Sequence, residues 1–170
     1  MSAFVTYAEL KQFGSEINAG RVLREASAKE GKTVFLSHSS SDDELLPGVI
    51  RILEGHGGMV YVDDKDPALE GMDIFDIANR LREAVNACRK LVLLVTPRSK
   101  TSAWIPWELG LGDGKNRDRN VALFPSAETA SEQRWSEQEY LGLYQRIIWA
   151  HFQVRKKANG WCLITGKTRA

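Results

Sequence analysis

From Lys32 onward, short apolar segments alternate with amphipathic helical stripes, which predicts an α/β protein whose parallel sheet is covered by helices on both faces. Three observations carry this expectation. Leu91–Val95 is an unbroken apolar run, as in a central strand buried on both sides. Ile74, Ala78, Leu81 and Val85 follow one another at four-, three- and four-residue steps, the spacing of one helix face. The chain of 170 residues, 43% hydrophobic and 26% charged, has the size and composition of one domain with a single core.

Residues 1–31 read as a separate helical arm. Thr6 and Glu9 have capping-box spacing, Tyr7, Leu10, Phe13 and Ile17 form an apolar stripe, and Gly14, Gly20 and Gly31 are expected to interrupt and end it. The first strand, Thr33–Ser37, ends in the polar cluster His38-Ser39-Ser40-Ser41-Asp42. The next helix is expected to be capped by a box of Ser41 and Glu44, to bury Leu46, Val49, Ile50 and Leu53, and to stop at 55–58. A second strand, Met59–Val62, runs into the loop 63–71. Beyond the central strand, 97–101 is a loop and Ser102 a helix cap. The helix that follows holds Trp104, Trp107, Glu108 and Leu111, with Pro106 near its first turn, and is expected to break at Gly112-Asp113-Gly114. Val121–Phe124 is a fourth strand, and 126–138 is polar with a cap at Ser136. Ile147–Val154 and Trp161–Thr165 read as a terminal hairpin turning at Asn159-Gly160.

The net charge of +1 conceals an uneven distribution. Five of the 23 basic residues and none of the 22 acidic ones lie in 151–170, leaving residues 1–150 at −4. Five charges on a terminal hairpin are read as a solvated surface, so a nucleic-acid partner is not expected. No apolar run approaches membrane-spanning length, and the N-terminus lacks the basic-then-apolar order of a secretory signal; a cytoplasmic protein without a membrane partner is expected. Two cysteines make neither a disulfide framework nor a zinc site by themselves; Cys88 is read as a buried helix residue and Cys162 as a strand residue.

Several chemistries are excluded by what is missing. No G-x-G-x-x-G joins the first strand to its helix, which argues against a Rossmann dinucleotide grip. Gly110–Lys115 imitates a phosphate loop, but it follows a helix, has Leu109 where glycine is required and Asn116 where Ser or Thr is required. His38, His56 and His151 are too scattered to define a metal site or a triad, and no G-x-S-x-G elbow is present. What remains is position. In a doubly wound sheet, ligands bind beyond the carboxyl ends of the strands, at the switch point between the loops after the first and third strands, here 37–42 and 97–102. The first offers hydroxyls and N–H groups suited to a phosphate, opposed by Asp42 and Asp43. The second leads into Trp104 and Glu108, four residues apart on one helix face, an aromatic ring beside a carboxylate.

These residues also carry a resemblance. Val34-Phe35-Leu36-Ser37-His38-Ser39-Ser40-Ser41-Asp42, the loop 63–71, and above all Ser102-Ala103-Trp104-Ile105-Pro106-Trp107-Glu108-Leu109-Gly110 resemble a Toll/interleukin-1 receptor (TIR) domain of the bacterial type. The resemblance covers residues 32–150, including Tyr140–Tyr144, with 1–31 as an arm and 151–170 as a basic hairpin packed on the domain. It implies a flavodoxin-like three-layer sheet and, in the family's enzymatic branch, an NAD⁺ glycohydrolase or cyclase that releases nicotinamide. The family's catalytic glutamate falls on Glu108. The resemblance implies that Trp104, at the position of the accompanying tryptophan, stacks near the nicotinamide ribose or walls the pocket. Ser39 is a candidate contact to ribose or phosphate, and Lys65 a candidate to offset substrate charge. The loop 63–71 corresponds to the BB loop, which takes part in assembly and gates the site. Ile105 followed by Pro106-Trp107 departs from the cysteine that many members carry after the tryptophan, but leaves the glutamate in place.

A single carboxylate suits this chemistry. Breaking the nicotinamide–ribose bond builds oxocarbenium character on the ribose, and nicotinamide departs as a neutral molecule, so no general acid is required. NAD⁺ is a substrate; no resident cofactor or metal is called for. A homo-oligomer built through TIR–TIR contacts, and a separate effector that reads the product in antiviral defence, are expected, since the sequence shows no second effector domain. Two alternatives are a TIR scaffold without turnover, which would not need Glu108, and a nucleoside deoxyribosyltransferase-like enzyme.

Overall fold

A computed structural model of the chain describes residues 4–16, 18–28, 30–63, 71–99, 104–116, 120–129, 143–148 and 162–164. The arm begins with a short strand, β1 (Val5–Thr6), and two helices, α1 (Tyr7–Ser15) and α2 (Ala19–Ala26). Then come β2 (Val34–Ser37), a 3₁₀ segment (Ser40–Leu45), α3 (Leu46–Gly55), β3 (Val60–Tyr61), α4 (Ile74–Ala87), β4 (Lys90–Val95), α5 (Trp104–Asn116), β5 (Val121–Ala127), β6 (Gln145–Ile148) and β7 (Cys162–Ile164). The sheet runs β3-β2-β4-β5-β6-β7, parallel except for the last pair, and β1 pairs in parallel with the end of β5. This is a flavodoxin-like α/β arrangement with N-terminal helices and C-terminal strands.

Alternation along the central strands fills two layers. Leu36, Val92, Leu94 and Phe124 face a core closed by α1 and α3. Phe35, Leu91, Leu93 and Leu123 face another closed by α4 and α5. Each such buried side chain contributes about 1.5–3 kcal/mol relative to exposure, so β4, buried from Leu91 to Val95, is the hydrophobic axis of the fold.

Helices α1 and α3 pack through small residues. The Thr6–Glu9 capping box is present at the start of α1. Gly14, expected to interrupt this helix, instead lies buried inside it, where a Cβ would come within 3.2 Å of Pro47 Cβ. On the facing helix, a Cβ at Gly48 would overlap the backbone carbonyl of Leu10, so the two helices approach at backbone contact. Helix α1 ends at Ser15 and α2 begins at Ala19, where Asn18 Oδ1 accepts from Arg21 N (3.0 Å); Gly20 lies inside α2.

Other boundaries also move. The helix after β2 is not entered through a Ser41–Glu44 box. Ser39 caps a 3₁₀ segment, its hydroxyl accepting from Ser41 N (3.4 Å), and α3 starts at Leu46 with Pro47 in its first turn and no side-chain cap. Glu44 is engaged elsewhere, by Lys11 and Arg98 at 2.9 Å each, and these two cations hold its carboxyl below the usual range. Helix α5 runs through Gly112–Gly114 instead of breaking there. A Cβ at Gly112 would lie 2.5 Å from Leu91 Cδ2 and 3.2 Å from Val121 Cγ2, so this glycine serves close helix–sheet packing. The fourth strand extends to Ala127 because its end pairs with β1. In α4, Leu81, Ala84 and Val85 are buried, but Ile74 and Phe75 in the first turn are 63% and 79% exposed. Cys88 is buried just after this helix. The first strand of the expected hairpin begins earlier, at Gln145, and β6 and β7 pair antiparallel; Ile17, Ser102, Ser136, Tyr140 and the turn at 159–160 lie outside the described residues.

Among the described residues, no helix is long and apolar enough to cross a membrane.

Candidate active site

Strands β2 and β4 are parallel neighbours, with Ser37 opposite Leu93 near their carboxyl ends. The chain then continues from β2 to β3 on one side and from β4 to β5 on the other, which makes their junction the topological switch point. The two loops singled out in the sequence leave from this point.

Helix α5 carries a buried face of Ile105, Glu108, Leu109 and Gly112, at three- and four-residue spacing. Glu108 is therefore not a solvated surface glutamate; it is 2% exposed. Burying a carboxylate is costly unless donors meet it. One donor is the hydroxyl of Ser37, which is fully buried at the end of β2 and bonds Glu108 Oε2 across a separation of 71 residues. Trp107 is turned toward α4, where the Arg82 guanidinium lies 5.9 Å from its ring centroid.

The other sequence candidates are placed unevenly. Ser39 is buried beside Ser37, and its hydroxyl is used in capping the 3₁₀ segment. Trp104 is the first residue of α5, one turn before Glu108; its side chain lies outside the described residues, as does Lys65. His38, buried between Ser37 and Ser39, has Nε2 3.2 Å from Asp43 Oδ1.

Two contacts had no sequence signal. One is the Ser37–Glu108 bond. The other joins the two switch-point loops: Thr96 Oγ1 donates to Asp42 Oδ2 (2.8 Å), and both residues are fully buried. Thr96 is itself held by a tight turn, its Oγ1 accepting from the N–H groups of Arg98 (3.0 Å) and Ser99 (3.1 Å). Asp42 Oδ1 is buried with no hydrogen-bond partner among the described residues. Burial pushes the Asp42 carboxyl above its ordinary 3.8, a shift that the Thr96 hydrogen bond and the charges of Arg98 and His38 only partly offset. The residue expected to repel an anion is thus turned inward as a latch.

This latch has a pH signature. The folded chain holds the Asp42 proton to higher pH than the unfolded chain does, so stability falls as pH rises from 3.8 through the raised folded value. Asp42→Asn keeps an acceptor for Thr96 and carries no charge. Its melting temperature is expected to gain on the parent between about pH 4 and about pH 7; the same difference at both pH values would refute this account.

A cleft of about 450 Å³ lies at the other end of the sheet, bordered by Thr33, Val34, His56, Arg89, Lys90 and Gln145. It sits at the amino ends of β2, β4 and β6, and contributes nothing to the Glu108 site.

Comparison with known proteins agrees with this geometry. The family model described as TIR domain matches residues 34–160, which contain both switch-point loops and α5. A curated relative from Bacillus cereus (strain MSX-D12), named probable 3′ cyclic ADP-D-ribose synthase ThsB′, is 35% identical over 132 residues, covering 69% of this chain and 67% of that protein. The switch-point architecture, the segment around Glu108 and these matches lead to one assignment: the chain belongs to the TIR domain family.

Proposed function

We propose that the protein cleaves NAD⁺ at the nicotinamide–ribose bond, releasing nicotinamide and forming ADP-ribose or a cyclic ADP-ribose isomer as a signal in bacterial antiviral defence. The observation that carries this reading is the buried Glu108 carboxylate, bonded by Ser37 at the carboxyl edge of a TIR sheet. Similarity to a protein named as a cyclic ADP-D-ribose synthase supports the same substrate class.

In this mechanism Glu108 faces the ribose, stabilises the developing oxocarbenium charge and holds the ribose hydroxyls. Ser37 satisfies one lone pair of the carboxylate and sets its orientation. Trp104 walls the nicotinamide side, Ser39 contacts ribose or phosphate, and Lys65 offsets the diphosphate charge from the loop 63–71. Nicotinamide leaves with the electron pair of the broken bond and becomes neutral. Capture of the ribosyl cation by water gives ADP-ribose, and capture by a nucleophile of the same molecule's adenosine half gives a cyclic product. Residues 32–150 are the catalytic unit in this reading, with 1–31 as arm and 151–170 as basic hairpin.

Assembly is part of the proposal. Met72, Ile74 and Phe75 are exposed apolar side chains immediately after the loop 63–71, and they support a homo-oligomer formed along this edge. The same patch is what a scaffold without turnover would use, which keeps that reading as the second.

The test is nicotinamide release from NAD⁺ by the purified protein at high concentration, with the product identified by mass spectrometry. Release that accelerates with protein concentration is expected. No release under assembling conditions removes the enzyme reading in favour of the scaffold, and turnover of deoxynucleosides but not NAD⁺ moves the site to transferase chemistry.

A further inference from the structure

The N-terminal arm meets the carboxyl edge of the sheet at three places around the proposed site. Val5 and Thr6 pair with Ser126 and Ala127 at the end of β5, and Ser126 Oγ donates to the Val5 carbonyl (2.7 Å). The carbonyl of Ala26, at the end of α2, accepts from Val62 N (3.0 Å) where β3 runs into the loop 63–71. Arg98, in the loop from β4 to α5, lies with its guanidinium 5.0 Å from the ring centroid of Tyr7 on α1. The same side chain donates from Nη1 to Glu44 Oε1 (2.9 Å) and to the Ser41 carbonyl (3.3 Å). Glu44 in turn pairs with Lys11 of α1 (2.9 Å). The family match begins at residue 34, so the arm lies outside the matched segment.

We propose that the arm is a positioning element of the NAD⁺ site and acts through Arg98, which fastens the turn after β4 to the 3₁₀ segment that follows Ser37 and to Tyr7, and so fixes where Ser37 meets Glu108. The proposal rests on the reaction proposed above. Arginine suits the task because a planar guanidinium can lie against a ring while its N–H groups bond outward; a lysine offers no such plane. The backbone-close contact at Gly48 gives the arm a firm seat, so Tyr7 and Lys11 are held against the domain. The Arg98–Glu44 pair is 40% and 47% exposed at its side chains. Pairs of this exposure add little to stability. The consequence of losing Arg98 therefore falls on geometry, where a displacement of about 1 Å can cost up to about a hundredfold in rate.

The experiment compares the full chain with Arg98→Ala, Tyr7→Leu and the double variant, well below their melting temperatures. Arg98→Ala is expected to lower kcat for nicotinamide release about tenfold with KM for NAD⁺ changed less than about twofold. Its melting temperature should move by no more than about 3 °C. Tyr7→Leu should lose part of kcat, and the double variant should lose about as much as Arg98→Ala alone, because Tyr7 acts only through Arg98. Amide hydrogen exchange supplies a readout independent of turnover: the N–H groups of 108–111 should exchange faster in Arg98→Ala while those of β4 keep parental protection. Parental kcat in Arg98→Ala, additive losses in the double variant, or unchanged exchange in α5 each overturn the proposal. If the parent itself releases no nicotinamide, it is the reaction that fails, and exchange in α5 still decides whether Arg98 holds this helix in place.

Discussion

Glu108→Gln is expected to lower nicotinamide release from NAD⁺ by about a hundredfold to a thousandfold, the range for removing one electrostatic contact to a developing charge. The substitution preserves the size of the side chain and its capacity to bond Ser37, so the buried face of Ile105, Leu109 and Gly112 stays filled. What disappears is the negative charge opposite the ribose. The loss should fall on kcat, with KM for NAD⁺ changed far less, since a neutral amide of the same size keeps the local packing but does not stabilise the oxocarbenium ion. Single-turnover rates at saturating NAD⁺, with melting curves to verify the fold, check this. Activity within tenfold of the parent would mean that another carboxylate faces the ribose.

Gly48→Ala carries the largest expected effect on stability. The added Cβ meets the carbonyl oxygen of Leu10, which is backbone and cannot rotate away. Either α1 lifts from α3 or the carbonyl shifts inside its own helix, and overpacking of this kind costs about 3 kcal/mol or more. For a chain of this length that is about 6–12 °C of melting temperature. Gly55→Ala is the matched control: it sits at the end of the same helix with nothing within 4 Å of its Cβ position, so little change or a small gain is expected. Equal melting temperatures for the two variants would show that α1 and α3 do not approach as described. Because α1 also carries Tyr7 and Lys11, Gly48→Ala should weaken the hold on Arg98 as well.

The sequence was legible wherever the controlling interaction is local. Thr6 and Glu9 form their capping box within a single helical turn, and Leu91–Val95 announces a central strand because each of its residues must be buried. The helix that carries Glu108 was legible from its own segment. Signals of the same local kind failed where a distant partner competed for the residue. Glu44 has the spacing to close a box with Ser41, yet its two oxygens go to Lys11 and Arg98. Gly112 looks like a helix breaker, yet its missing Cβ is the space that Leu91 and Val121 fill. Ile74 continues an apolar stripe, yet it lies beyond the part of α4 that reaches the sheet.

By itself, then, the sequence determined the order of strands and helices from Lys32 onward, the parallel sheet and the segment that carries Glu108, because periodicity, capping and continuous burial act over a few residues. Only the tertiary structure decided that Ser37 would meet Glu108 from 71 residues away, that Asp42 would latch Thr96 from 54 residues away, and that an arm outside the family match would seat on the loops around the site. The physical reason is that a hydroxyl, a carboxylate or a glycine has no fixed partner in sequence. Which one it finds depends on the strands and helices that burial brings together, and the free energy of satisfying buried polar groups then selects among the contacts on offer.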